Sequence, residues 1–110
     1  MLRVASYVIA VSVALAAPAM AEDAKDAGEK VFTAQKCSLC HSVAGKGNVK
    51  GSLDEVGGKL KADEIRAWIT DAKGMTAKTK ALRKPEMKAY DLPTSDVDAL
   101  VTYLSAMKKK

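Results

Sequence analysis

The sequence predicts a small all-α domain of short helices joined by loops. Apolar residues recur at helical intervals near the end of the chain and form one clear face: Val97, Leu100, Val101, Leu104 and Met107. A shorter helix is predicted over residues 63–71, with Ile65, Trp68 and Ile69 on one face. Glycines punctuate residues 42–58 and predict a loop there, and no convincing strand run lies near it.

The first 21 residues predict a secretory signal peptide rather than part of the fold. A short basic start leads into an almost wholly apolar run, Val4 to Ala17, and an A-x-A cleavage pattern follows at Ala19 to Ala21. The run is shorter than the roughly 20 residues of a spanning helix, so we expect no stable membrane insertion. Residues 22–110 are then one domain, soluble and exported to the periplasm.

The composition limits the partners. The formal net charge of the chain is +5 and no basic stripe with interleaved aromatic residues is present, which argues against nucleic acid as a partner. A local basic surface that attracts acidic proteins is the better interpretation. A domain this small buries a modest core, so a bound cofactor would supply an apolar centre that its few aromatic side chains do not.

The other helix boundaries follow from caps and breaks. Asp23 is the candidate N-cap of a first helix that runs to about residue 40. A glycine inside this helix, Gly28, is tolerable if another helix approaches the backbone there. Lysine-rich residues 76–83 predict a short helix after a break at Gly74. The last helix opens at Thr94 or Ser95 as the cap and runs into three C-terminal lysines.

The only two cysteines and the only histidine of the chain stand together in Cys37-Ser38-Leu39-Cys40-His41. C-x-x-C-H is the signature of covalent c-type haem attachment. Two thiols at this spacing can add to the two vinyl groups along one edge of a haem, and the following imidazole can reach the iron. The motif therefore predicts one covalently attached haem c, with His41 as an iron ligand.

Three other interpretations of the cysteine pair are weaker. A zinc site lacks a fourth ligand of the cysteine or histidine type. A thioredoxin-like redox pair expects a βαβ setting that the sequence does not predict. A disulfide between Cys37 and Cys40 would close a loop too short to add much stability, and it would leave His41 unexplained.

Four segments make the chain resemble the small class I bacterial monohaem cytochromes c. They are residues 28–32 ahead of the motif at 37–41, residues 51–59, residues 63–69, and residues 87–90 leading into 97–104. The motif lies near the mature N-terminus and a methionine precedes the final helix, which is the class I arrangement. A cytochrome c-prime would carry the motif near its C-terminus.

The resemblance implies the cytochrome c fold, in which short middle helices and loops wrap round one haem. The N- and C-terminal helices cross closely, which would place Gly28 and Phe32 against Leu100 and Tyr103 and explain the glycine. Thioether bonds are implied at Cys37 and Cys40, and the proximal iron ligand is implied at His41. The distal ligand is then a methionine.

Three methionines of the mature chain compete for the distal position. Met87 stands at a spacing before the last helix that resembles the family pattern, and it is the predicted ligand; Met75 is the alternative. Met107 lies on the core face of the last helix and is expected to pack there. Trp68 is interpreted either as core or as an indole donor to a haem propionate.

Two positions depart from the family pattern. Ser52 follows Gly51 where a proline is common, so the carbonyl near Gly51 that accepts the ring N–H of the haem histidine is not identified by the sequence. Lys88 follows Met87 where a proline is also common, which would loosen the ligand loop.

The resemblance implies an electron carrier and not an enzyme, because two axial ligands leave no open iron position. We expect a monomer whose redox partners have acidic docking surfaces. Lysines expected near the haem edge would attract them: Lys36, Lys46, Lys78, Lys80 and Lys88. The alternatives are a gas-binding or peroxidatic haem protein with an open distal site, and a haem subunit of a larger oxidoreductase.

Overall fold

The computed structural model describes residues 9–12 and 19–108, which form mostly helices. The elements in chain order are α1 (Ala19–Ala34), a 3₁₀ turn (Cys37–Leu39), β1 (Ser42–Val43), β2 (Lys46–Gly47), a second 3₁₀ turn (Val49–Gly51), α2 (Val56–Lys59), α3 (Ala62–Thr70), α4 (Ala72–Thr79) and α5 (Thr94–Ser105). This arrangement confirms the all-α prediction. The two-residue strands β1 and β2 were not predicted.

Helices α1 and α5 pack directly on each other. Gly28 lies at the contact, where an added Cβ atom would fall on the carbonyl oxygen of Ala99 and on the Cβ of Tyr103. One turn further along α1, the ring of Phe32 meets that of Tyr103 edge-on, with 6.0 Å between centroids. The predicted contact of the terminal helices is confirmed, and it explains why α1 carries a glycine in its middle.

The hydrophobic core lies between these two helices and α3. Its buried members are Phe32, Ile65, Ile69, Val97, Leu100, Val101, Tyr103 and Leu104. The two apolar faces predicted from the sequence, on α3 and α5, therefore meet in one core. An exposed ion pair joins Arg66 of α3 to Asp98 of α5 at 2.6 Å, and it adds little because such pairs contribute about 0–1 kcal/mol.

The hairpin of β1 and β2 turns the chain back immediately after the cysteine motif. Ser42 pairs with Gly47 and Val43 pairs with Lys46. The two residues between the strands, Ala44 and Gly45, both have positive φ angles, 51° and 79°. Two central residues with positive φ are typical of the tight turn that matches strand twist.

The first helix differs from its predicted bounds at both ends. It starts at Ala19, so Asp23 lies inside the helix and is not its N-cap; Ala19, Met20, Ala21 and Glu22 all favour helix and extend it upstream. It ends at Ala34 and not near residue 40, because Lys36 takes a left-handed conformation with φ of 57°. A separate 3₁₀ turn then begins at Cys37, and Cys40 is its C-cap.

The later helices are also shifted. Helix α4 covers Ala72–Thr79 and not residues 76–83, since the carboxylate of Asp71 accepts the N–H of Gly74 and caps a helix in which Gly74 is an interior residue. Helix α5 follows Pro93, and neither Thr94 nor Ser95 caps it. It ends at Ser105, before the C-terminal lysines.

The predicted signal peptide falls largely on residues 1–8 and 13–18, which lie outside the described residues. Among residues 9–12 and 19–108, no helix is both long and apolar enough to cross a membrane.

The α1–α5 contact predicts opposite outcomes for two glycine substitutions. Gly28→Ala is expected to lower the free energy of unfolding by about 1–3 kcal/mol, because its methyl group overpacks the contact with α5. Gly58→Ala in α2 is the matched control, since an added Cβ there meets nothing within 4 Å. The control should keep or raise stability by up to about 1 kcal/mol. Urea unfolding followed by circular dichroism measures both, and equal effects would contradict the close contact.

Candidate functional site

A cavity of about 1050 Å³ lies between α1, α3, α5 and the segment that joins α4 to α5. Its inner wall is largely apolar and includes these core or core-facing side chains: Phe32, Leu53, Val56, Leu60, Ile65, Ile69, Tyr90, Leu100 and Leu104. The cavity is at the upper end of the roughly 300–1,000 Å³ typical of ligand and cofactor sites. The fold therefore encloses a large apolar space next to the cysteine motif.

The cysteine motif forms one edge of this cavity. Cys37, Cys40 and His41 all line it. The carbonyl of Cys37 accepts the N–H groups of Cys40 at 3.2 Å and of His41 at 2.9 Å, which closes a tight turn. This turn fixes the two thiols and the imidazole in one short stretch of backbone, and the two cysteines are not joined by a disulfide.

The histidine ring is held by the backbone of the second 3₁₀ turn. Nδ1 of His41 lies 3.0 Å from the carbonyl oxygen of Gly51. A carbonyl can only accept, so Nδ1 carries the proton and Nε2 keeps its lone pair. The carbonyl that the sequence analysis did not identify is thus that of Gly51 itself, although Ser52 replaces the family's proline.

The surroundings of the histidine favour its neutral form. Burial lowers the pKa of His41, and the positive charge of Arg83 acts in the same direction. The hydrogen bond to Gly51 opposes both but does not reverse the shift. A neutral imidazole is the form that can bind a metal, and these surroundings favour that form of His41. Burial also raises the pKa of the Cys37 thiol.

The three candidate methionines have different surroundings in the structure. Met87 is half-buried and lines the cavity together with His41. Met75 is 8% exposed and packs within α4, outside the cavity lining. Met107 packs against the hydrophobic core, as its position on the predicted apolar face indicated.

Trp68 is half-buried and also lines the cavity. Its neighbours on α3, Ile65 and Ile69, are buried in the core. The tryptophan therefore stands between the core and the cavity wall, and both of its interpretations are compatible with this place.

The basic residues at the cavity differ from the predicted set. Of the five lysines named from the sequence, Lys36 and Lys88 line the cavity, whereas Lys46, Lys78 and Lys80 are exposed elsewhere. Three further basic residues line it and are not among those five: Lys50, Arg83 and Lys84. Their closeness in sequence to Gly51 and to Met87 was the available signal.

Fold and site together define an all-α haem-binding protein. A family model described as cytochrome c matches residues 25–108, which is most of the chain. The chain therefore belongs to the cytochrome c family, whose members bind haem covalently and transfer electrons. Searches of the curated proteins and of the solved structures each returned no match.

The residues present fit a haem c. Two free thiols, an imidazole with its Nε2 lone pair available and a thioether sulfur all belong to the lining of one apolar cavity. Soft sulfur and imidazole are donors that suit haem iron. Among the described residues, no group of three or more Cys, His, Asp or Glu side chains could hold a separate metal ion.

The turn after the motif yields a second matched pair of glycine variants. Gly45 and Gly47 both have positive φ, so alanine at either is expected to cost about 1–2 kcal/mol of backbone strain. Only at Gly47 would the added Cβ also collide, with the carbonyl oxygen of His41 and with Ser38. Gly47→Ala should therefore cost about 1–3 kcal/mol more than Gly45→Ala. Denaturant unfolding and the yield of haem-loaded protein compare the two, and equal losses would argue against crowding at the motif.

Proposed function

We propose that this protein is a periplasmic one-electron carrier that holds a single haem c, with His41 and Met87 as the axial ligands and thioether bonds at Cys37 and Cys40. The observation that carries the proposal is that these four side chains line one apolar cavity. A single C-x-x-C-H motif in the chain supports one haem. The haem supplies one-electron redox chemistry when it is bound.

The protein residues set the conditions of that chemistry. His41 presents Nε2 because Gly51 holds Nδ1, and such bonds fix ring orientation and raise ligand basicity. The thioether of Met87 favours the reduced state relative to a second histidine. The apolar wall keeps water out, which also disfavours the additional charge of the oxidised state.

Trp68 supports the same proposal at the cavity wall. An indole N–H is a donor that usually finds an acceptor when it is buried. Because Trp68 lines the cavity, we assign its N–H to a haem propionate. Without this donor, the negatively charged propionate would lose a hydrogen bond. Its loss would disturb the haem pocket more than a loss of packing alone.

The location follows from the N-terminal sequence. The basic start, the apolar run and the A-x-A pattern support export, with cleavage after Ala21 and a soluble domain of residues 22–110. We propose a monomeric shuttle that transfers electrons to partners and catalyses no reaction, because two protein ligands fill both axial positions.

Loss of the distal ligand gives the most direct test. The oxidised wild-type protein should show the weak charge-transfer band in the red that reports methionine–iron ligation. Met87→Ala should abolish this band and lower the reduction potential, because the thioether is lost. Met75→Leu is the control and should keep the band, since Met75 lies outside the cavity lining.

Two results would contradict the carrier proposal. A wild-type protein without the band would lack the methionine ligand. Rapid binding of carbon monoxide by the reduced wild-type protein at neutral pH would show an open distal position, which favours the gas-binding or peroxidatic alternative. Migration of the native protein with a larger oxidoreductase in size-exclusion chromatography would instead favour a subunit.

The basic cavity rim predicts the salt dependence of electron transfer. The double variant Lys36→Gln, Lys88→Gln removes two charges that line the cavity and should slow transfer to an acidic redox protein by about tenfold at low ionic strength. The dependence on salt should weaken as well. Stopped-flow measurements over a salt series give both quantities.

Lys25→Gln is the matched control, because Lys25 lies on α1 roughly 13 Å from its end at Ala34 and does not line the cavity. It should change the rate little. Reduction by an uncharged small molecule should be equal in all variants. Rates to the acidic protein that do not depend on salt would contradict docking by charge.

A further inference from the structure

The distal methionine lies on a segment with little regular structure. Residues 80–93 join α4 to α5, and Met87 is near their middle. Beyond Met87, the backbone N–H of Tyr90 donates to the carbonyl of Ile69 at 2.8 Å. Tyr90 is half-buried and packs against the core, so it anchors the downstream end of the segment to α3.

The upstream end of this segment is held by an arginine. The guanidinium of Arg83 donates a hydrogen bond to the carbonyl oxygen of Cys40, 43 residues away in sequence. Arg83 thereby ties the methionine segment to the second cysteine of the motif. No other hydrogen bond or ion pair that the structure gives for residues 82–89 reaches outside that stretch.

The absence of a side chain at Gly51 makes room for this contact. An added Cβ at Gly51 would fall on Nη1 of Arg83 and on the carbonyl oxygen of Cys40. Gly51 also supplies the carbonyl that holds His41. The arginine therefore lies against the backbone that positions the proximal histidine, while its own chain leads to the distal methionine four residues later.

The stretch between the two anchors has few contacts of its own. Lys84 and Glu86 form an ion pair at 2.7 Å, but this pair links two residues of the same stretch. Within residues 84–89, Met87 is half-buried and the others are exposed. The position of Met87 consequently depends on the anchors, and more so because Lys88 stands where a proline would have stiffened the chain.

We propose that Arg83 is a positioning residue, whose bond to the Cys40 carbonyl clasps the Met87 segment to the haem-attachment turn and keeps Met87 on the iron. The proposal rests on the proposed function, in which Met87 is the distal ligand. Arginine suits this role because its planar fork of donors is always charged, and bonds from charged donors to a carbonyl are stronger than neutral ones.

Competition for the iron tests the clasp in the haem-loaded protein. Imidazole added to the oxidised protein must displace Met87, so a loosened segment should increase its apparent affinity. Arg83→Gln is expected to increase this affinity about tenfold, the effect of losing one hydrogen bond from a charged group. Lys46→Gln is the matched control, because Lys46 is exposed on β2 beside the motif, does not line the cavity, and loses its charge without breaking the clasp. The control should match the wild type.

Hydrogen exchange provides a measurement that does not need the methionine ligand. In Arg83→Gln, exchange should become faster at the two hydrogen-bonded amides that flank residues 82–89, which are Ala81 and Tyr90, and stay unchanged in α1 and α5. Unchanged exchange at Ala81 and Tyr90, or an equal increase in α1 and α5, would overturn the clasp. Wild-type imidazole affinity in a protein with the methionine band would also overturn it. If the wild type lacks the band, the distal-ligand proposal fails, and exchange at Ala81 and Tyr90 alone decides whether Arg83 holds the segment.

Discussion

The rest of the structure depends on one constraint, which is that a large cavity lies beside the side-chain core of a small domain. Its 1050 Å³ lie against the faces of α1, α3 and α5 that would otherwise complete the core. The packing of α1 on α5 at Gly28 fixes the distance between two of these helices, because backbones in direct contact cannot approach further.

Each side of the cavity is then formed by a different local structure. A tight turn presents the cysteines and the histidine, a carbonyl of the next turn orients the imidazole, and an anchored segment carries the methionine. These elements come from distant parts of the sequence, yet the side chains that they carry all line one cavity. The assembly explains how a chain with few aromatic residues can sustain a cofactor-centred core.

Much of this was predictable, and the exceptions have physical reasons. The motif at residues 37–41 and the periodic faces of α3 and α5 are local patterns, so the sequence predicted their elements. The contact at Gly28 followed from the family resemblance, and the lining positions of His41 and Met87 agree with the predicted ligand pair, which remains a proposal. Helix ends were wrong where a cap or a left-handed residue decides, as at Asp71 and Lys36. The predicted basic set overlaps the cavity lining only in part, because tertiary structure decides which of several neighbouring basic residues reach the cavity, as at Lys50, Arg83 and Lys84.

Two separate properties of the residue at position 51 matter: its main-chain carbonyl and its lack of a side chain. Its bond to His41 uses a main-chain carbonyl, which every amino acid possesses, so no substitution removes that group. The demand for a glycine comes instead from the space taken by Arg83 and the Cys40 carbonyl. A side chain at position 51 would leave the histidine bond its acceptor, but it would displace the arginine and press on the carbonyl of Cys40. Tolerance at this position therefore reports on the contact between Arg83 and Cys40, and not on the acceptor of the histidine bond.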